Sequence, residues 1–188
     1  MRALHRPYDA LRLHHELEHR PDLVLLTNFD WSLLGTGLVS SVNALKSEEL
    51  IRPGVVVLPS AARVWAMAVQ VLTDTGIPID TSPVESLFWS PTLRKIAMDD
   101  THSRRTIKPL TAPTVAFCLD LRAGAPAIRP EKAVLEMPVT ADGRANAVVF
   151  WFEMPLGAGG VISNAPMAAL PPGIYICMHV CIYLYVYA

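Results

Sequence analysis

Charge is scarce in this 188-residue chain and neither sign dominates, with 16 Lys and Arg against 17 Asp and Glu for a formal net charge of -1. That balance leaves no basic footprint for nucleic acid and no acidic tail. Cysteine is scarce too: three, odd in number and scattered, make neither a disulfide framework nor a zinc cluster. The N-terminal MRALHRPYDALRLHHELEHR has no apolar h-region, so it does not read as a secretory signal. What the chain does have is 52% hydrophobic residues against 18% charged, which excludes a disordered polymer. Ten Gly and 16 Pro point to turns and short strands rather than a helical bundle. The length suits one domain or two small ones and buries a core without disulfides or metals.

One compositional break stands apart. Residues 174–187, IYICMHVCIYLYVY, hold four of the five tyrosines and two of the three cysteines, with no Asp, Glu, Lys or Arg. The run falls short of the roughly 20 residues that a bilayer-spanning helix needs. It has no helical periodicity, and its β-branched and aromatic residues suit an aggregation-prone strand. Such monotony is also what a simple TA/TG-type DNA repeat encodes. The segment is therefore expected to be a read-through or mis-spliced end, with a buried edge strand and a membrane anchor as alternatives.

The body of the chain has a clear order. PDLVLLTN (21–28) is a short apolar run after a turn signal and reads as a buried strand. The loop FDWSLLGTG leads to a helix expected over 38–51, with Leu38, Val42, Leu45 and Leu50 near helical spacing. Pro53-Gly54 ends it. VVVLPSAARVWAMAVQVL then gives two strand-like runs broken at Pro59. A Pro-rich irregular stretch over 74–113 precedes three further strand candidates, VAFCLDL (115–121), AVLEMPV (133–139) and NAVVFWFEM (146–154). Turn-rich connections between them suggest antiparallel β structure, and the GAGG turn leads on to VISNAP. The chain thus reads as the end of an α/β layer followed by part of a β-barrel, with no internal repeat.

Several residues invite a chemical reading. His15-Glu16-Leu17-Glu18-His19 matches H-E-x-x-H, which sets two imidazoles one helical turn apart with a glutamate between them. Arg20-Pro21 ends any helix at once, so a zinc metallopeptidase is only a remote alternative and the segment reads as polar surface. Glu48 and Glu49 would be its third-ligand candidates, and His14, His15 and His19 could take adventitious zinc or nickel. Cys118 reads as a buried thiol with no histidine near it in sequence. Trp65, Phe150, Trp151 and Phe152 read as barrel core.

DLVLLTNFDWSLLGTGLVSSVNAL, with IRPGVVVLPSAARVWAMAVQ after it, resembles the protein arginine N-methyltransferase family, nearest its monomethylating (type III-like) branch. In that branch a strand ends in a glutamate, a loop like ELFDxELxGEG follows, and a helix and a proline-ended strand lead into a barrel. Leu110-Thr111-Ala112-Pro113 with VAFCLDL resembles the LS-x-P segment and its following strand, and ADGRANAVVFWFEMPL with ISNAP resembles the barrel hairpin. The likeness runs in collinear order over about 160 residues. It implies a transferase that moves a methyl group from S-adenosyl-L-methionine to a guanidinium nitrogen of an arginine-containing protein, such as a histone or an RNA-binding protein. It further implies a Rossmann-like methyltransferase domain ending within residues 1–58 and a partial antiparallel β-barrel substrate domain over 59–167. Residues 168–188 form the apolar, non-native tail. A cytoplasmic or nuclear location, a homo-oligomer, and no direct nucleic-acid or membrane partner complete the expectation.

The chain departs from that family pattern at three places. No D-x-G-x-G-x-G is present, so the cofactor-binding loop is expected to be absent, and Gly35-Thr36-Gly37 reads as a turn opening the helix rather than a substitute for it. The family's two guanidinium-gripping glutamates fall on Asn28 and Ser32, with one residue deleted between Thr27 and Phe29. A hydrogen bond to a charged group is worth about 1.5–3 kcal/mol, so losing two removes roughly 3–6 kcal/mol, or about two to four decades. Asp30 keeps the family's Phe-Asp pair and suits turn geometry. Trp31 lies beside Ser32, where it would line an arginine pocket by cation–π contact or simply pack. Finally, PPGIYICM stands where the family continues toward a Thr-His-Trp loop. The chain by itself is therefore expected to be inactive, with a non-catalytic binding or scaffold subunit as the alternative.

Overall fold

The computed structural model describes residues 19, 21–30, 32–71, 92–96, 107–129, 132, 134–157, 160–165, 175–177 and 180–184. Strand β1 (Leu23–Leu25), helix α1 (Leu38–Ser47) and strand β2 (Val56–Leu58) come first. Eight strands follow: β3 (Ala61–Val71), β4 (Thr92–Ile96), β5 (Ile107–Pro109), β6 (Thr114–Asp120), β7 (Ala147–Gly157), β8 (Gly160–Ser163), β9 (Tyr175–Cys177) and β10 (Val180–Leu184).

The β1–α1–β2 unit is a parallel crossover, with Leu23 opposite Val56 and Leu25 opposite Leu58. Parallel strands need a crossover connection, and α1 supplies it. Helical spacing turns Leu38, Val42 and Leu45 inward, all buried. The helix is shorter than the sequence suggests because Glu49 adopts a left-handed φ of 55°. Leu50 N–H then reaches Leu45 O and Glu49 N–H reaches Lys46 O, the double closure of a Schellman motif. Leu50 and Ile51 stay buried all the same, because the reversed chain folds them back under the helix. The expected burial of the first strand is not met: Leu23 and Leu25 are exposed, since β2 is the one strand paired with β1 among the described residues.

β3 organises the larger sheet. Along one edge it pairs antiparallel with β6 over 61–66 and with β5 over 69–71, and along the other with β7 over 63–69. β7 in turn carries β8 near its end and β10 near its start, and β10 also pairs with β4. All these pairings are antiparallel; β8 with β9 is the parallel exception. The sheet curls as a half-barrel, so the architecture is an α/β end followed by a partial antiparallel barrel. The segment expected to be a non-native tail supplies β9 and β10. A β-branched, aromatic run pairs readily with any open strand edge, so this pairing argues for neither origin.

Three other expectations need correction. Residues 134–138 form no strand: Val134 and Val139 are exposed, and an isolated bridge from Val139 to Thr111 is all that ties this stretch into a ladder. The three candidate runs 115–121, 133–139 and 146–154 do not pair in succession as hairpins: β6 and β7 each pair with β3, one along either edge. Cys118 is exposed rather than buried. Ala116 is an extra residue in β6 where the register jumps between Val64 and Trp65, and the bulge leaves Phe117 and Cys118 both outward.

One core joins the two parts of the fold. Leu38, Val42 and Leu45 of α1 pack with Ala62 and Val64 of β3, Leu119 and Leu121, and Phe152 and Met154 of β7. A second cluster occupies the opposite face of β3 and β7, with Met67, Val69, Val149 and Trp151. There Trp65 stacks on Trp151 at 6.3 Å and donates its Nε1–H to Glu153 at 3.0 Å.

Candidate functional site

The loop from Asn28 to Gly37 joins the end of β1 to the start of α1, and its own polar groups shape it. Asp30 sits at its centre. Asp30 Oδ1 accepts the Ser32 N–H at 3.0 Å, the Ser32 hydroxyl at 2.7 Å and the Gly35 N–H at 3.3 Å. Gly35 N–H is shared with Ser32 Oγ at 2.9 Å. Asp30 O also accepts the Leu33 N–H at 3.0 Å, closing a tight turn in which Leu33 takes a φ of 68°. A Cβ on Gly35 would collide with the Asp30 carboxylate and lie 2.9 Å from Ser32 Oγ, so glycine is required there. Gly37, at a φ of 83°, is the N-cap of α1.

Asn28 is held at both ends. Its main-chain oxygen accepts the Thr36 hydroxyl at 2.7 Å. Its Nδ2 donates a short hydrogen bond to Ser41 Oγ, and Ser41 donates onward to Gly37 O at 2.7 Å. Ser41 lies in α1 with its side chain buried. Nothing in its spacing announced that role, because a serine beside Val42 in an apolar helix reads as tolerated rather than used; the one signal was the Ser40-Ser41 pair directly after a glycine-opened turn.

The structure therefore brings Asn28, Asp30 and Ser32 into one loop, with the two neutral residues in different situations. Ser32 is engaged by Asp30 and Gly35, whereas Asn28 Oδ1 meets no donor among the described residues. Trp31 lies outside the described residues, as do His14, His15, Glu16, Leu17 and Glu18 of the H-E-x-x-H match; His19 is exposed. Among the described residues no group of three His, Cys, Asp or Glu is placed to hold a metal ion. The shifted titrations lie at the other end of α1 and beyond. Burial pushes the Lys46 ammonium down against the opposing pull of Asp120, while the Arg122 guanidinium holds the Asp120 carboxyl at about 2.

The loop does not fit S-adenosylmethionine. A cofactor held at a glycine-rich turn needs free backbone N–H groups. Here those of Ser32, Leu33, Gly35 and Gly37 all point at Asp30, Ser32 or Leu34. Gly35-Thr36-Gly37 thus serves its own turn. What the loop offers is a neutral acceptor on a rigid frame, at the seam between an α/β end and a curled antiparallel sheet.

That combination of layers is an α/β end followed by a partial antiparallel barrel. No protein-family model matches the chain. An arginine N(omega)-methyltransferase of Streptomyces achromogenes subsp. streptozoticus is 30% identical over 168 residues, covering 86% of this chain and 44% of that protein. The Trypanosoma brucei PRMT1 enzyme-prozyme heterotetrameric complex with AdoHcy matches with a TM-score of 0.55 and 16% identity, over 95% of this chain and 56% of its own. Protein Arginine Methyltransferase 10 of Arabidopsis thaliana, in an open conformation, matches with a TM-score of 0.55 and 12% identity, over 96% and 58%. The chain is thus similar in sequence to an arginine N(omega)-methyltransferase and in fold to protein arginine methyltransferases. It spans less than half the length of the curated relative it matches.

Proposed function

We propose that the protein acts in S-adenosylmethionine-dependent methyl transfer to an arginine guanidinium, and that the described residues contribute the guanidinium-facing loop and the substrate-side barrel. The observation that carries this is the sequence likeness to a curated arginine methyltransferase across 86% of the chain, which takes in β1, the 28–37 loop, α1, β2 and the curled sheet. In this reading the loop orients a guanidinium and the barrel presents the polypeptide that bears it. The methyl donor supplies the electrophilic carbon. The nearest branch is the monomethylating one.

Asn28 and Ser32 favour a second form of the reading, in which the 188-residue chain forms no methylarginine by itself and serves as a binding subunit. Both positions carry neutral side chains, and Ser32 is tied into the loop. The enzyme-prozyme complex of Trypanosoma brucei offers an assembly in which such a chain would have a place. The test is mass spectrometry of methylarginine in an arginine-rich protein incubated with S-adenosylmethionine and the isolated chain. Methylarginine formed by the chain alone overturns the subunit form. No methylarginine even when the chain is continued to the length of its relatives overturns the enzyme form.

A further inference from the structure

We infer that Ser41 is a positioning residue for ligand binding, resting on the guanidinium reading of the 28–37 loop. It fixes the Asn28 carboxamide with its nitrogen on the helix and its oxygen toward solvent, as a single acceptor for a guanidinium N–H.

The polarity of the hydrogen-bond chain forces this orientation. Ser41 Oγ spends its one proton on Gly37 O at 2.7 Å, so toward Asn28 it can only accept. An amide nitrogen satisfies it; an amide oxygen would face lone pairs. Asn28 cannot flip while that bond holds, and the Thr36 hydroxyl on its main-chain oxygen pins the backbone as well. Among the described residues no hydrogen-bond donor meets the carboxamide oxygen. No fully buried side-chain nitrogen or oxygen among the described residues lacks a partner, and Asn28 itself is only half-buried, so this oxygen is not sealed from solvent. Ser41 itself is 1% exposed and cannot meet a ligand directly. A fixed carbonyl oxygen suits a cationic donor group and repels a carboxylate.

The experiment uses the full chain, 15N-labelled, titrated with methylguanidinium and followed through the Asn28 side-chain amide, which is assigned by its loss in Asn28→Asp. In the unaltered chain one Asn28 amide proton should be protected from exchange, and its resonance should move on titration. Ser41→Ala should abolish that protection and weaken methylguanidinium binding about tenfold, roughly 1.4 kcal/mol. Ser41→Thr, which keeps the hydroxyl, should restore both. A structural role alone would lower the melting temperature without exposing the amide proton.

Unchanged binding in Ser41→Ala, or an unprotected amide proton in the unaltered chain, overturns the positioning role. Absence of any methylguanidinium binding by the unaltered chain overturns the guanidinium reading instead. In that case loss of amide protection in Ser41→Ala still decides whether Ser41 fixes Asn28.

Discussion

Gly35→Ala is the sharpest perturbation of the loop, because its effect should depend chiefly on the Asp30 carboxylate. The added methyl would land on the Asp30 carboxylate, close to Ser32 Oγ and 3.1 Å from Asp30 Cγ. Asp30 must then move, breaking its bonds from Ser32 N, Ser32 Oγ and Gly35 N. A hydrogen bond to a charged group contributes about 1.5–3 kcal/mol, and solvent at this half-exposed loop replaces part of the three. Alanine also narrows the unfolded ensemble, which returns about 0.4–1 kcal/mol. The net loss should be about 1–2 kcal/mol, or roughly 2–8 °C in melting temperature for a chain of this size. In an Asp30→Ala background the obstructing carboxylate is gone, so the same substitution should be neutral or slightly stabilising. Urea denaturation of the two single variants and the double variant measures the coupling. Gly54→Ala serves as the control: its φ of 102° carries backbone strain but no atom lies within 4 Å, so its effect should be equal in both backgrounds. Additivity of Gly35→Ala and Asp30→Ala within about 0.5 kcal/mol would refute the view that the carboxylate shapes this loop.

Phe152→Ala removes a 1%-exposed ring that meets Phe29 edge-on at 6.1 Å and packs under α1; it should cost about 3–5 kcal/mol in urea denaturation, and less than about 1 would place the ring outside the core. Asn43→Ala should cost about 1–3 kcal/mol, because the Asn43 amide both donates to Ile128 O and accepts from Ile128 N–H at 2.8 Å; chemical denaturation reads it, and no loss would mean that water replaces both bonds. Asp120, lowered from 3.8 to about 2 by the Arg122 guanidinium, contributes stability that is complete above its unfolded value and is lost as pH falls from about 4 toward 2. Asp120→Asn should flatten that part of the stability profile, and equal slopes in variant and unaltered chain over that window would remove the pair from the account. The effect is small, since both side chains are largely exposed.

Local patterns in the sequence were enough for the helix, the parallel unit and the long strands, because each rests on its own periodicity. The helix could not be ended correctly. Glu49 takes the left-handed position usually given to glycine, and nothing in SEEL marks it. Strand pairing was misjudged for a different reason. Turn-rich connections suggested neighbours in sequence, but β3 is eleven residues long and offers two edges, so β6 and β7 both pair with it. AVLEMPV has strand composition, yet Pro138 has no N–H for a ladder and the chain there passes main-chain bonds to the 110–112 segment instead. Asn28 and Ser32 were singled out from resemblance, and the structure sets both in the loop between β1 and α1. Their partners were not legible in sequence, since Ser41 lies thirteen residues beyond Asn28 and meets it only through the fold of the helix onto the strand end.

The two neutral positions of the loop have unequal consequences. Ser32 closes a ring of bonds with Asp30 and Gly35, so its hydroxyl is unavailable to a ligand unless that ring opens. Asn28 retains one acceptor, locked in direction by Ser41. A guanidinium on a single acceptor is free to turn about that bond, whereas a bidentate grip fixes its plane. Fixing the plane is what aims one nitrogen at a reacting carbon, and orientation of that kind supplies much of the rate advantage of an enzyme. In the proposed guanidinium reading the loop as built would therefore recognise a cationic donor better than it would aim one. That imbalance separates affinity from turnover, and it is why binding of methylguanidinium and formation of methylarginine are independent measurements on this chain.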